Sequence, residues 1–275
     1  MGYEHPDSLY PRNDLAIILG LGEIGLPIYN LIAEHNPGRV VRGYDPKFRG
    51  ELPEGSFQFM HICFPPETNF ISIIREYCKK YTPRYVIIHS TVSPGMTSCL
   101  DGEIDQSLFF YSPVRGNMRD GMEWSLARYT KYVAAFGLEE KEWWPVMQHL
   151  AKSGFNPKYV EDPESLEWAK LLDLCWYGLN IAYYQELERT VEKRNLSYSI
   201  IEEFMRSTPE ESEGRAERSV FYGGYIGGHC VMPAIEKVMA EDPGCTFRMM
   251  LRATVESNIK RRLELLYRRP THHPI

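Results

Sequence analysis

Two glycine-rich stretches of this chain hold residues that could do chemistry. Residues 18–27 read Ile-Leu-Gly-Leu-Gly-Glu-Ile-Gly-Leu-Pro, with G-x-G-x-x-G at Gly20, Gly22 and Gly25. Residues 223–230 read Gly-Gly-Tyr-Ile-Gly-Gly-His-Cys. In the first stretch Gly20 permits a tight turn, Gly22 lets backbone approach a pyrophosphate, and Gly25 lets a helix pack on a strand. Gly20, Gly22, Glu23, Ile24 and Gly25 are therefore expected to cradle phosphates at the positive end of a helix. Asp45 follows Gly25 by 20 residues and ends a second apolar run, Val40 to Tyr44. A carboxylate there accepts ribose hydroxyls and repels a 2′-phosphate, so NAD is expected over NADP, a preference softened by nearby Lys47 and Arg49.

Cys230 ends the second stretch. Flanking glycines leave a thiol accessible, and His229 beside it could favour the nucleophilic thiolate. A cysteine is otherwise a small buried hydrophobe, and that reading stays open. Lys170 lies among Trp168, Leu171 and Leu172. A lysine in such company is either snorkelling or functional. Pro65, Ser90 and Thr91 close strand-like runs on the side where a cofactor would lie. Thr91 reads equally well as a plain strand-end cap.

The elements that must position these residues follow from hydrophobic periodicity. Runs at Leu15–Leu19, Val40–Tyr44, Phe59–Phe64, Tyr85–His89, Leu108–Tyr111 and Tyr132–Phe136 read as strands. Helical patterns continue from the glycine turn to His35 and from Asn69 to Lys80. His89 is expected to be buried in the sheet. Such alternation implies an α/β fold: a Rossmann-type, doubly wound, mostly parallel sheet with ligands beyond the carboxyl ends of its strands. After Pro163 the pattern turns helical. Ser165 to Lys193 has no proline and one glycine, which reads as a long central helix. Shorter helices are expected at Ile200–Met205 and Ile235–Met239, and a long one from Phe247 to Tyr267. The basic residues Arg261, Arg262, Arg268 and Arg269 read as a solvated helix end. The tryptophans and tyrosines at 143, 144, 168, 176, 177, 183 and 184 read as core and helix–helix interface. Residues 1–13 read as a partly ordered arm. The expected division is a dinucleotide-binding domain over 1–160 and a helical domain over 161–275.

Composition sets limits. The 275 residues are 43% hydrophobic, enough for a core, and carry a net charge of −6. That charge gives no support for nucleic acid as a partner. No apolar stretch reaches membrane-spanning length, and the first residues lack the apolar core of a signal peptide, so a cytoplasmic protein is expected. The six cysteines are scattered without a C-x-x-C pair, which argues for reduced thiols and against a metal site.

Several segments together resemble the UDP-glucose/UDP-N-acetylmannosamine dehydrogenase family. Besides the two glycine-rich stretches, Ile62-Cys63-Phe64-Pro65-Pro66 is similar to its third-strand end, and His89-Ser90-Thr91-Val92 to its Ser-Thr-Val segment. Tyr111-Ser112-Pro113-Val114-Arg115 resembles its Ser-Pro-Glu-Arg segment, and Glu167-Trp-Ala-Lys170-Leu opens its long helix. The resemblance implies an NAD-dependent dehydrogenase oxidising an alcohol of a sugar or sugar nucleotide. It makes Cys230 the thiol nucleophile, Lys170 an oxyanion or proton-relay group and Thr91 a water or nicotinamide contact. It also implies a homodimer paired through the 165–193 helix. The chain departs from the family at Val114, Leu174 and Ala234, where the family has Glu, Asn and Asp. It reads as a short, divergent member without the family's C-terminal nucleotide-binding unit. Two other readings stay open: a β-hydroxyacid dehydrogenase of the 6-phosphogluconate type, and a degenerate dinucleotide-binding sensor or scaffold.

Overall fold

The computed structural model describes residues 14–48, 52–100, 107–116, 121–213, 219–241 and 244–267. The arm at 1–13, Arg49, Arg268 and Arg269 lie outside the described residues. The chain divides into two compact units, 1–170 and 171–275.

The first unit is built on a seven-stranded sheet. Strands β1 (Asp14–Leu19), β2 (Val40–Tyr44), β3 (Phe59–Ile62), β4 (Tyr85–Ile88), β5 (Leu108–Tyr111), β6 (Thr130–Ala134) and β7 (Asn156–Val160) lie in the order β2-β1-β3-β4-β5-β6-β7. The first five are parallel, β6 runs antiparallel to β5, and β7 parallel to β6. Chain order reverses at β1, with β2 on one side and β3 on the other. This is the switch point at which such sheets leave a crevice.

Alternation along the strands feeds two apolar layers. Ile18, Phe59, Ile87 and Phe110 pack with α1 (Gly25–His35), α3 (Met122–Arg128) and α4 (Glu140–Lys152). Ile17, Met60, Val86 and Phe109 pack with α2 (Phe70–Tyr81). Helix α4 opens with a capping box between Glu139 and Glu142. Pro145 in its second turn blurs the helical signature without ending the helix.

The long helix is α5 (Pro163–Arg194), 32 residues and about 48 Å at 1.5 Å per residue. The units divide inside it, between Lys170 and Leu171. Its first turns are anchored by Glu167, which is fully buried. That carboxylate accepts the Gly95 N–H at 2.6 Å, the Thr97 N–H at 2.9 Å and the Thr97 hydroxyl at 2.6 Å. Burial raises its pKa, and those three donors oppose the shift.

The second unit adds α6 (Tyr198–Glu211), α7 (Val231–Ala240) and α8 (Cys245–Tyr267). A buried polar set clamps α5 to α8. The Asn258 amide oxygen accepts the Ile226 N–H at 2.7 Å, and its NH2 donates to the Ile226 carbonyl at 3.0 Å. Gln185 donates to the Gly224 carbonyl at 2.6 Å and accepts from the Ser257 hydroxyl at 2.8 Å. Arg261 corrects the expectation of a solvated helix end: it is 5% exposed and pairs with Glu188 at 2.6 Å. Trp144, Trp176, Tyr177 and Tyr183 are also not core, each being about half exposed.

Asn258→Ala is expected to destabilise the chain by about 2–3 kcal/mol, because a buried N–H and a buried carbonyl lose their partners. Urea unfolding monitored by circular dichroism measures this. A loss within about 0.5 kcal/mol, the range of ordinary surface changes, would show that the clamp is dispensable.

Candidate dinucleotide-binding site

The glycine loop is shaped by close approach. Gly20 has φ +90, a conformation L side chains rarely adopt, and a Cβ there would meet the Phe64 nitrogen at 2.8 Å. A Cβ on Gly25 would lie 1.7 Å from the Gly20 carbonyl oxygen. Only glycine lets α1 start this close to the end of β1. Gly22 differs: nothing lies within 4 Å of its Cβ position, and it is exposed. It faces the open side of the loop.

Asp45 clasps this loop from the end of β2. One carboxylate oxygen accepts the Leu21 N–H at 2.8 Å and the other the Lys47 N–H at 2.9 Å. Each oxygen keeps a lone pair for a further donor such as a hydroxyl. No side chain caps α1, so the N–H groups leading into it remain for an anion. Glu23 is exposed and Ile24 half-buried at that start.

The parallel strands bring the other predicted residues of this unit to one edge. Cys63 to Pro66 follow β3, Ser90 and Thr91 follow β4, and Ser112 to Val114 follow β5. Pro65 is exposed and Thr91 half-buried. The Ser90 hydroxyl donates to the Phe64 carbonyl at 2.7 Å, stitching two strand ends together. His89 is 1% exposed, as its place in the strand pattern suggested. Arg115 lies over the Tyr129 and Tyr132 rings at 5.9 and 5.8 Å. Lys170 is the eighth residue of α5 and half-buried.

Cys230 belongs to the second unit. It is exposed, at the N-terminal boundary of the ten-residue α7. Its loop is pressed against α5: a Cβ on Gly223 would meet Glu188 at 2.6 Å and the Gln185 nitrogen at 2.9 Å. Among the described residues no group of three or more His, Cys, Asp or Glu is placed to hold a metal. No helix among them is long and apolar enough to cross a membrane.

Sequence reasoning missed Glu167 as an anchor; a carboxylate between Leu166 and Trp168 was the available signal. It also missed His61, Lys131 and His149, which are buried in the apolar layer of the sheet. Their signal was ionisable residues at inward positions of apolar elements.

No protein-family model matches the sequence, and no curated protein matches it either. Solved structures do. The UDP-D-ManNAc dehydrogenase from Pyrococcus horikoshii is 17% identical, with a TM-score of 0.71 over 91% of this chain and 70% of that one. A UDP-glucose dehydrogenase from the archaeon Pyrobaculum islandicum is 16% identical, with a TM-score of 0.64 over 94% and 70%. The 3-hydroxyisobutyrate dehydrogenase from Mycobacterium tuberculosis is 14% identical, with a TM-score of 0.64 over 90% and 94%. The fold is thus an α/β Rossmann-type sheet followed by a helical part.

Limited alkylation at neutral pH is expected to label Cys230 first among the described cysteines. Burial pushes the Cys63 and Cys78 thiols up to about 12 and Cys175 to about 11, so few of them are thiolates at pH 7. Cys99 is the exposed competitor. Peptide mapping reads the order, and preferential labelling of Cys99 or Cys63 would leave Cys230 without special reactivity.

Proposed function

We propose that the chain is an NAD-dependent oxidoreductase acting on an alcohol of a sugar or sugar nucleotide. The observation that carries this reading is the glycine loop at the β1/β3 switch point, clasped by Asp45 and open at Gly22. Gly20, Gly22, Glu23, Ile24 and Gly25 would hold the pyrophosphate, Asp45 the adenosine ribose, and Pro65, Ser90 and Thr91 the nicotinamide side. Bound NAD would take a hydride from the alcohol carbon. Lys170 would steady the oxyanion or carry the alcohol proton, and Cys230 would add to the resulting aldehyde as thiolate. These roles rest on the motif resemblance and on the named dehydrogenases that share the fold.

The departures bear on the outcome. Val114 is 5% exposed and Ala234 fully buried, and neither can act as a base or hold a water. A thioester on Cys230 needs both to hydrolyse. Complete four-electron oxidation of UDP-glucose is therefore expected to be slow or absent. A second reading, a β-hydroxyacid dehydrogenase, is favoured by Val114 after Ser112-Pro113 and by the match over 94% of the 3-hydroxyisobutyrate dehydrogenase. It leaves Cys230 without a role. We further propose that the chain pairs as a homodimer through α5, where Leu172, Trp176, Tyr177 and Tyr183 are exposed.

The test is NADH formation with sugar nucleotides and with 3-hydroxyacids, the products identified. Reduction with a sugar nucleotide supports the first reading and with a 3-hydroxyacid the second. Neither, with cofactor still bound, leaves a sensor or scaffold. Two NADH per sugar nucleotide and a uronic acid, at about 1–10³ s⁻¹, would contradict the expectation of incomplete oxidation.

Asp45→Ala is expected to weaken NAD binding by about 1–3 kcal/mol and to narrow the preference over NADP. Competitive calorimetry with both cofactors decides. Unchanged affinity and preference would place the ribose elsewhere. Light scattering is expected to give twice the monomer mass, and a monomer at micromolar concentration would remove the α5 pairing.

A further inference from the structure

Four ionisable side chains lie in one line inside the first unit. His61 is on β3, in register with Ile18 of β1 and Ile87 of β4. His89 follows β4, Lys131 is on β6 and His149 on α4. Their exposures are 0%, 1%, 3% and 5%. His149 Nε2 lies 3.0 Å from His61 Nε2, His61 Nδ1 lies 2.9 Å from His89 Nε2, and His89 Nδ1 lies 3.0 Å from Lys131 Nζ. The Phe59 ring stacks on His149 at 3.9 Å and 8°, so the line is set in apolar packing.

The proton positions follow from the charge on Lys131. His89 Nδ1 lies 2.8 Å from the Ser112 carbonyl oxygen and 3.0 Å from Lys131 Nζ, so it carries the hydrogen when Lys131 is a neutral amine and accepts one when Lys131 is an ammonium. With Lys131 neutral, His89 Nε2 is bare and accepts from His61 Nδ1–H. His61 Nε2 is bare in turn and accepts from His149 Nε2–H. Lys131 Nζ donates to the carbonyls of Ser112 and Pro113. A neutral amine has two hydrogens for those carbonyls and one lone pair, which faces His89 Nδ1–H. With Lys131 as a neutral amine, His61 and His89 each donate once and accept once along the line, and His149 donates once from Nε2.

We propose that His149, His61, His89 and Lys131 form a proton relay through the first unit, in which a proton taken up at His149 leaves Lys131 as an ammonium. The balance is closed. A proton from water binds His149 Nδ1, and His149 Nε2 gives its proton to His61 Nε2. His61 Nδ1 gives its proton to His89 Nε2, and His89 Nδ1 gives its proton to Lys131. Four N–H bonds form and three break, one charge is gained, and all three rings end neutral in the opposite tautomer. The reverse sequence discharges the lysine. Lys131 stands where β6 passes Ser112 and Pro113, beyond the carboxyl end of β5 and on the edge that carries the glycine loop. His149 stands near the end of α4. The line therefore links a helix end to the functional edge without water.

The surroundings keep the line neutral and poised. Burial is the first cause lowering His61, His89, His149 and Lys131 alike, and it brings Lys131 to about 7. The groups facing them are the Cys63 thiol after β3, Lys170 on α5, Arg39 before β2 and Lys152 on α4. The three cations oppose a further positive charge, and the Ser112 and Pro113 carbonyls favour one on Lys131. The relay stands on this geometry and not on the oxidoreductase reading, so either can fail without the other.

Nitrogen NMR of the full chain with labelled histidine distinguishes a protonated from a bare ring nitrogen. Above the transition His61 and His89 are expected as Nδ1–H tautomers and His149 as Nε2–H. All three should exchange to the opposite tautomer together, with one midpoint at about pH 7, and none should pass through imidazolium. Lys131→Met is expected to abolish the exchange, and His61→Phe to leave His149 unresponsive. Three separate titrations to imidazolium, or tautomers unchanged between about pH 5 and 9, would overturn the relay. The wild-type titration decides even where a variant fails to fold.

Discussion

The first unit depends on one steric constraint. Helix α1 starts so close to the end of β1 that any side chain at Gly25 would collide with the Gly20 carbonyl. This contact sets the loop path and with it the neighbours of the loop. Gly20 then lies against the backbone of Phe64, which ties the end of β1 to the end of β3. Asp45 reaches back from β2 to the Leu21 N–H and ties the third strand end to the same turn. Three parallel strands thus present their carboxyl ends around a single loop. The helix that follows brings uncapped N–H groups to that place, where the pyrophosphate of the proposed dinucleotide would be held.

Glycine serves the second unit differently. Gly223 lets its loop lie against α5, and Asn258 and Gln185 hold that loop by hydrogen bonds, Gln185 being held in turn by the Ser257 hydroxyl. Gly178 has the same use within α5, since a Cβ there would meet Val231 and Ile235 of α7 at 2.9 and 3.0 Å. The exposed Cys230 therefore follows a loop fixed by buried polar groups and precedes a closely packed helix. Such mounting would limit the conformations of the thiol in its proposed role.

Much of this was legible because local signals agreed with the global fold. The glycine spacing, the strand before it and the acid 20 residues on predicted the β1–α1–β2 unit, and the structure has it. The long proline-free stretch predicted α5 to within two residues at each end. What escaped were features set by tertiary partners. Arg261 looks like any basic residue near a helix end until Glu188 lies 2.6 Å away. Glu167 looks like a solvated helix acid until three donors converge on it. The histidine line is the clearest case. His61 lies on β3, His89 just after β4 and His149 on α4, and no spacing along the chain tells that His61 is within 3.0 Å of both the others.

Gly22 gives the most direct test of the central claim that the loop exists to hold a dinucleotide. Its φ is ordinary and its Cβ position is empty, so Gly22→Ala has no steric cost within the fold. The methyl would instead occupy the space through which a pyrophosphate reaches the loop N–H groups. Calorimetric titration of NAD into the wild type and Gly22→Ala, alongside their unfolding curves, separates the two roles. The account predicts equal stability within about 0.5 kcal/mol and a loss of affinity of at least tenfold, about 1.4 kcal/mol. Equal affinity in both proteins, or no binding to either, would contradict it.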